Sequence, residues 1–279
     1  MKKAPDLSGI VRVNDASMRY MFKQCYGLSG KIDMSNLEYV GVVGCQETFS
    51  DAHLITEIED FTNLNQVGNQ GMKSMFNNTS ITTAPELAAT NLTGGNSYNN
   101  MFSNCRNLVT AMSVLPATST SSSGDCYNSM FYGCRNLATA PVLEVVTTTS
   151  SNGDLLSMFY NCYCLESADL GDLTSIGNYC CRDAFYMCSN LKHVKLTHLS
   201  SAGTNQSNLR MFQYCRKLED VDCSSATSVW ALNNTNAFDC NPYYKIYVPD
   251  SLYNTWRGAS NWSSIASHIY PASTMPQAS

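Results

Sequence analysis

Charge is scarce in this chain of 279 residues. Its 17 Lys and Arg and 22 Asp and Glu make up 14% of the sequence, against roughly 25% in ordinary globular proteins. The net charge is -5, so the dense positive field needed to hold a phosphate backbone is missing, and nucleic acid is excluded as a partner. No run of about 18 apolar residues occurs, which excludes insertion into a membrane as an apolar helix. With four histidines and no second cysteine hook matched in spacing to the first, a zinc site is not legible. Phosphate loops, nucleophile elbows and dinucleotide fingerprints are absent, and no cofactor is implied. Residues 1–20 carry two early lysines, but Asp6 and Gly9 interrupt them before any continuous apolar stretch. No signal peptide is visible on that pattern. Retention inside a cell, a leader already removed, and cytosolic assembly into a particle released by lysis all remain open.

What the chain has instead is small uncharged polarity. It contains 34 Ser, 22 Thr and 27 Asn, and its apolar fraction of 44% is sufficient for a core, so wholesale disorder is excluded. It also has 13 Cys, an odd number that a complete disulfide framework does not accommodate.

An internal repeat organises these residues. The segments MFKQCYGL (21–28), MFSNCRNL (101–108), MFYGCRNL (130–137), MFYNCYCL (158–165), AFYMCSNL (184–191) and MFQYCRKL (211–218) share the pattern Met/Ala-Phe-x-x-Cys-x-x-Leu. Weaker copies start at Thr48 and Met75, and a degenerate one at Ala237. The phenylalanines Phe22, Phe49, Phe76, Phe102, Phe131, Phe159, Phe185, Phe212 and Phe238 are 26 to 29 residues apart. Nine phased copies are not a chance event. Each better copy continues as Leu-x-x-Val/Ala-x-Leu, as in Leu191-Lys192-His193-Val194-Lys195-Leu196. Its alternation has the period of a short strand. Apolar residues three apart then predict tight, irregular or 3₁₀-like turns. One such unit cannot bury its own apolar side, but stacked units bury a continuous interior.

This pattern, with its Ala-Phe-x-x-Cys variants, resembles the BspA-like leucine-rich repeats, including a related bacterial surface-protein repeat of similar length. The resemblance covers about residues 18–248. The closing segment KIYVPDSLYNTWRGASNWSSIASHIYP (245–271) also resembles the ends of such proteins from gut Bacteroides and their phages. The family implies an α/β-type repeat solenoid with short parallel strands, irregular or 3₁₀ turns and a C-terminal helical cap. It also implies a non-enzymatic role in adhesion or recognition, at the cell surface or extracellularly. The alternative is a structural part of a phage virion, a tail fibre or head decoration protein, which would form a homo-oligomer.

The expected organisation is a lead-in or partial first coil over 1–17, about nine repeat units over 18–248, and a helical cap with a polar tail over 249–279. Pro249-Asp250-Ser251 suits a helix start, and Leu252, Trp256, Trp262, Ile265 and Ile269 supply an apolar side to close the end of the stack.

Cys25, Cys105, Cys134, Cys162, Cys188 and Cys215 share one repeat position, with Cys240 a shifted seventh. Neighbouring coils about 4.8 Å apart bring such residues within disulfide range, yet parallel side chains are badly oriented for bridging. Ala52 and Thr79 replace Cys in two copies, which suits a packing slot. Phe22, Phe102, Phe131, Phe159, Phe185 and Phe212 accompany them in the expected core. The pairs Cys162/Cys164 and Cys180/Cys181 are the most metal-like, without further ligands to complete them.

The expected binding face is the exposed side of the strands, where the residues flanking each buried Val or Leu point outward: Ser167, Asp169, His193, Lys195, Thr197, Asp220, Asp222 and Ser224. The partner expected there is a protein or glycan. Loops at 117–129 and 147–157 are a second candidate, and Tyr98, Tyr127 and Tyr179 are candidates for sugar contact or for packing over the solenoid edge. The carboxylate pairs Glu57/Glu59 and Asp220/Asp222 follow from strand geometry and do not by themselves indicate catalysis.

Overall fold

The computed structural model describes residues 2–115, 124–143, 153–171, 178–196 and 206–276. The loop candidates at 117–129 and 147–157 and the candidate Thr197 fall wholly or partly outside these ranges. The chain winds as a solenoid in which each unit has a strand side and a side made of consecutive turns.

The strand row begins with Lys2–Lys3, Leu28–Ile32 and Leu54–Ile58, all parallel. Isolated parallel bridges join Thr83 to Thr110, Thr110 to Thr139, and Thr139 to Ser167. The row then continues through Ser167–Asp169, His193–Lys195, Asp220–Asp222, Lys245–Val248 and Ile269–Pro271. A second row, absent from the sequence-based expectation of one strand per unit, pairs Arg12–Val13, Tyr39–Val40, Gln66–Val67 and Asn91–Leu92. Lys2–Lys3 and Arg12–Val13 thus bring two pieces of the lead-in segment into the sheets.

The turn side has its own repeating rule. In the first unit, Ser17, Arg19, Met21, Lys23 and Cys25 donate backbone N–H to the carbonyl three residues earlier. The intervening Ala16, Met18, Tyr20, Phe22 and Gln24 donate instead to Val42, Gly44, Gln46, Thr48 and Ser50 of the next unit, at 2.8–3.0 Å. Alternate N–H groups therefore close local turns and stitch neighbouring coils, which satisfies a backbone that is neither helix nor ladder strand. Every second turn puts its third residue at positive φ, as at Asp51, Asn78, Asn96, Asn100, Asn104, Asp125, Asn161 and Asp183. Asn and Asp tolerate this left-handed region better than other side chains. Six asparagines among the described residues lie at positive φ, so the requirement accounts for part of the Asn content.

Inside, the nine repeat phenylalanines form one column. Successive ring centroids from Phe22 to Phe238 are 5.3–5.9 Å apart, and all but the last pair lie within 16° of parallel. Burial of each ring contributes about 1.5–3 kcal/mol, and each offset stack adds about 0.5–1.5 kcal/mol. The cysteines form a column beside it. The Sγ–H of Cys105, Cys134, Cys162, Cys188 and Cys215 donates to the carbonyl of Phe76, Phe102, Phe131, Phe159 and Phe185 in the preceding unit, at 3.0–3.2 Å. Thr79, in the same slot, turns its hydroxyl instead to Phe76 O of its own unit at 2.9 Å and lies 3.4 Å from Cys105 Sγ. Cys240 leaves the column, its Sγ facing Asn241 O at 3.7 Å. All 13 cysteines are free thiols.

A further column lies four residues before each of the first eight repeat phenylalanines: Met18, Cys45, Met72, Tyr98, Tyr127, Leu155, Cys181 and Asn208, all buried. Tyr98 and Tyr127 stack inside it at 5.9 Å, so the expectation that they contact sugars or cover the solenoid edge is corrected. Their rings fill the interior, and burial pushes the Tyr98 phenol well above its ordinary range. Tight coil approach fixes two glycines. A Cβ on Gly68 would lie 2.7 Å from the carbonyl carbon of Gly41, and one on Gly171 (φ 55) would lie 1.8 Å from Leu143 O.

The C-terminal end is closed by Trp230, Trp256 and Trp262, packed edge to face at 4.8–6.4 Å. Trp262 Nε1 donates to Trp230 O at 2.8 Å. The cap is less helical than expected. It holds one helix, Tyr253–Gly258, with 3₁₀ turns at Asp250–Leu252 and Trp262–His268, and it adds the strand Ile269–Pro271 to the sheet.

Candidate functional site

Six of the expected strand-side residues come together. In register across the sheet, Ser167, His193 and Asp220 form one outer row and Asp169, Lys195 and Asp222 another, with Ala168, Val194 and Val221 buried between them. The rows continue to Lys245 and Tyr247. These six residues line an open hollow of about 700 Å³. Ser224 does not line it; its N–H donates to Asp222 Oδ1 at 2.8 Å, closing a local turn. Thr197 lies outside the described residues.

The charges on this face are arranged in pairs across neighbouring coils. His193 Nδ1 lies 2.7 Å from Asp220 Oδ2, Lys195 Nζ donates to Asp169 Oδ2 at 3.3 Å, and Lys192 Nζ to Glu166 Oε2 at 3.2 Å. Pairs this exposed contribute little to stability, about 0–1 kcal/mol each. Asp222 is different: its carboxylate accepts from the Ser224 N–H at 2.8 Å and forms no ion pair among the described residues. Two residues of the hollow were not expected. Met275 and Pro276 return across the face and form one wall, although the tail reads as polar and extended. The two are the apolar members of Ser-Thr-Met-Pro-Gln, a signal too short to place on a surface from sequence.

Ser167, His193 and Asp220 bear the residue types of a catalytic triad in a single row. Their geometry is that of a sheet face: no hydrogen bond joins the Ser167 hydroxyl to the imidazole, whereas a nucleophile needs that contact to lose its proton. Among the described residues, no group of three His, Cys, Asp or Glu side chains is placed to hold a metal ion, and no helix is long and apolar enough to cross a membrane.

The turn side carries an outer aromatic column. Tyr132, Tyr160 and Tyr186 stack at 4.8 and 4.6 Å, and Arg210 lies 5.5 Å from the Tyr186 ring centre. The Arg210 guanidinium donates to Asp183 Oδ2 at 2.8 Å, which pushes its pKa further up. Both faces of the Tyr160 ring are covered by its neighbours, which leaves no face of that ring for a sugar to stack on.

The model of the family described as BspA type leucine rich repeat region (6 copies) matches residues 17–153, 89–184 and 156–275. No curated protein matches the chain. Among solved structures, the chain is similar to a leucine rich cell surface protein from Faecalibacterium prausnitzii A2-165, at 17% identity over 89% of this chain and 66% of that one, with a TM-score of 0.39. A leucine-rich repeat protein from Bacteroides ovatus ATCC 8483 is 14% identical over 96% of this chain and 91% of that one, with a TM-score of 0.26. The pneumococcal vaccine antigen PcpA is 12% identical over 88% and 66%, with a TM-score of 0.28. This chain therefore spans just under two thirds of the length of the first and third of these proteins. The family match extends over nearly the whole solenoid and agrees with its stacked parallel strands, and on that ground the chain belongs to the BspA-type leucine-rich repeat family.

Proposed function

We propose that the chain is a non-enzymatic recognition module of an adhesive surface protein, and that the strand-side hollow between Ser167 and Asp222 is its protein-binding site. The observation that carries this reading is a 700 Å³ hollow in which His193 pairs with Asp220 and Lys195 with Asp169, while the carboxylates of Asp222 and Glu219 have no ion-pair partner among the described residues. A partner side chain bearing a cation gains most at Asp222, while Asp169, Lys195 and the His193–Asp220 pair fix its register by charge complementarity. Met275 supplies an apolar wall against which a partner side chain loses water. A glycan partner is less well matched, since the hollow has charges in place of stacking rings.

The test is a triple substitution, Asp169→Asn, Lys195→Gln and Asp222→Asn, in a fluorescently labelled protein applied to cultured epithelial cells and read by flow cytometry. All three side chains are on the outer face, so the unfolding transition stays in place. Binding to the cells falls by about tenfold or more. Unchanged binding by a folded triple variant rejects the site. The virion alternative gains no support from the geometry.

A further inference from the structure

A second site lies on a different side of the solenoid, at the corner where the turn run passes into the strand. The residue after the cysteine position lies on the outer surface there, and successive units carry Tyr26, His53, Ser80, Arg106 and Arg135. In the neighbouring units the next core residue follows the phenylalanine by six positions, as from Phe49 to Ile55 and from Phe102 to Leu108. After Phe76 it follows by five, at Ile81. This corner is one residue short and carries the small Ser80 between two long neighbours. The result is a hollow of about 290 Å³ with His53 and Arg106 as opposite walls, Asn78 and Ser80 in its floor, and Asn104 and Asn107 at its rim. The walls are two units apart, about 10 Å at ordinary strand spacing.

The walls are fixed differently. Tyr26 stacks on the His53 ring at 5.7 Å and 17°, and His53 Nδ1 lies 2.9 Å from Asn78 O. A carbonyl only accepts, so Nδ1 carries the hydrogen and Nε2 is left for a ligand. Asn78 Nδ2 donates to Asp51 Oδ1 at 2.8 Å, which orients the amide. Arg106 has no ion-pair partner among the described residues. The hollow therefore presents an oriented imidazole, amides, a hydroxyl and a guanidinium without an ion-pair partner among the described residues. An apolar peptide anchor seated here would leave the amides and the hydroxyl unpaired. A ring bearing several hydroxyls matches the amides and the serine, and a carboxylate on that ring matches the guanidinium as a charge-assisted pair.

We propose that this corner hollow binds an acidic monosaccharide unit of the uronic or sialic class, its carboxylate on Arg106 and its hydroxyls on Asn78, Ser80 and His53 Nε2. The site shares no residue with the strand-side hollow and stands independently of what that hollow binds. The test titrates the intact protein with D-glucuronate, D-galacturonate and N-acetylneuraminate, with D-glucose and D-galactose as neutral sugars and poly-L-glutamate as an acidic peptide. The readout is the histidine side-chain ¹H–¹⁵N spectrum. At least one acidic sugar shifts the His53 signals, and Arg106→Gln weakens it by about tenfold or more. Ser80→Phe, which fills the floor, abolishes the shift, and Arg135→Gln on the next unit changes affinity by less than about twofold. The proposal is overturned if no acidic sugar moves His53, or if neutral sugars move it equally. It is also overturned if only poly-L-glutamate binds, or if Arg135→Gln weakens binding as much as Arg106→Gln.

Discussion

Raising the pH from 8 to 10 under reducing conditions turns the cysteine column into a measurable liability. Burial holds the thiols of Cys134, Cys162 and Cys215 well above the ordinary value of 9.0, and it pushes Cys105 up to about 11. Unfolded, the same thiols lose their protons near 9; folded, they keep them. Above pH 9 the native state therefore binds more protons than the unfolded state, and stability falls as pH rises, until the folded thiols themselves titrate. Between pH 8 and 10 each such thiol removes about 1.4 kcal/mol. Cys134→Ala isolates one of them. At pH 8 the substitution costs about 2 kcal/mol, from the lost Sγ–H bond to Phe102 O and the small void left by the sulfur. At pH 10 the variant is spared one thiol's alkaline loss, so its deficit against wild type shrinks by about 1.4 kcal/mol. Urea unfolding followed by far-ultraviolet circular dichroism at both pH values, with a phosphine reductant, gives the two deficits. Phe131→Ala serves as control because it removes no titrating group and keeps its deficit. A Cys134→Ala deficit equal at pH 8 and 10 refutes the reasoning, because the thiol would then titrate alike in the folded and unfolded chain.

Two further outcomes follow from the interior and the turn side. Phe131→Ala breaks the phenylalanine column at its middle and costs about 3–5 kcal/mol, whereas Phe22→Ala, at the partly buried end, costs less than half as much, both read from urea midpoints. Val43 holds a β-branched side chain at φ 47, so Val43→Asn raises the melting temperature by relieving about 1 kcal/mol of backbone strain; a fall in melting temperature contradicts that account.

The solenoid was legible because each interior position sits directly above its own equivalent. A ring that stacks on a ring 26 residues away must be a ring of the same size, so Phe recurs nine times, and a thiol that donates to the carbonyl of the preceding coil recurs for the same reason. The second strand row was not legible, since its members are two-residue pieces such as Gln66–Val67 that leave no alternation to detect. The buried column four residues before eight of the nine phenylalanines leaves no sequence signal because it tolerates Met, Cys, Tyr, Leu and Asn alike. Packing there needs volume but no particular chemistry, and Tyr98 and Tyr127 consequently looked like surface residues.

Outer rows obey the opposite logic, and that separates what the repeat dictates from what it leaves to recognition. A residue facing water need not match the one above it, so the row after the cysteine runs Tyr, His, Ser, Arg, Arg without cost to the stack. The strand-side candidates were still found, because alternation alone tells which strand residues face outward. It says nothing of how they pair: the His193–Asp220 and Lys195–Asp169 contacts depend on two coils 26 or 27 residues apart falling into register. The corner hollow was hidden altogether, because its cause is a missing residue, the shortened step from Phe76 to Ile81, in one unit of nine. In a solenoid, then, departures from the repeat are informative where they shift the backbone on the surface while the interior column continues unbroken. Phe76 still stacks between Phe49 and Phe102 at 5.5 and 5.9 Å beside that shortened corner. The core there tolerates the deletion, and its whole consequence appears on the outside as a cleft between His53 and Arg106.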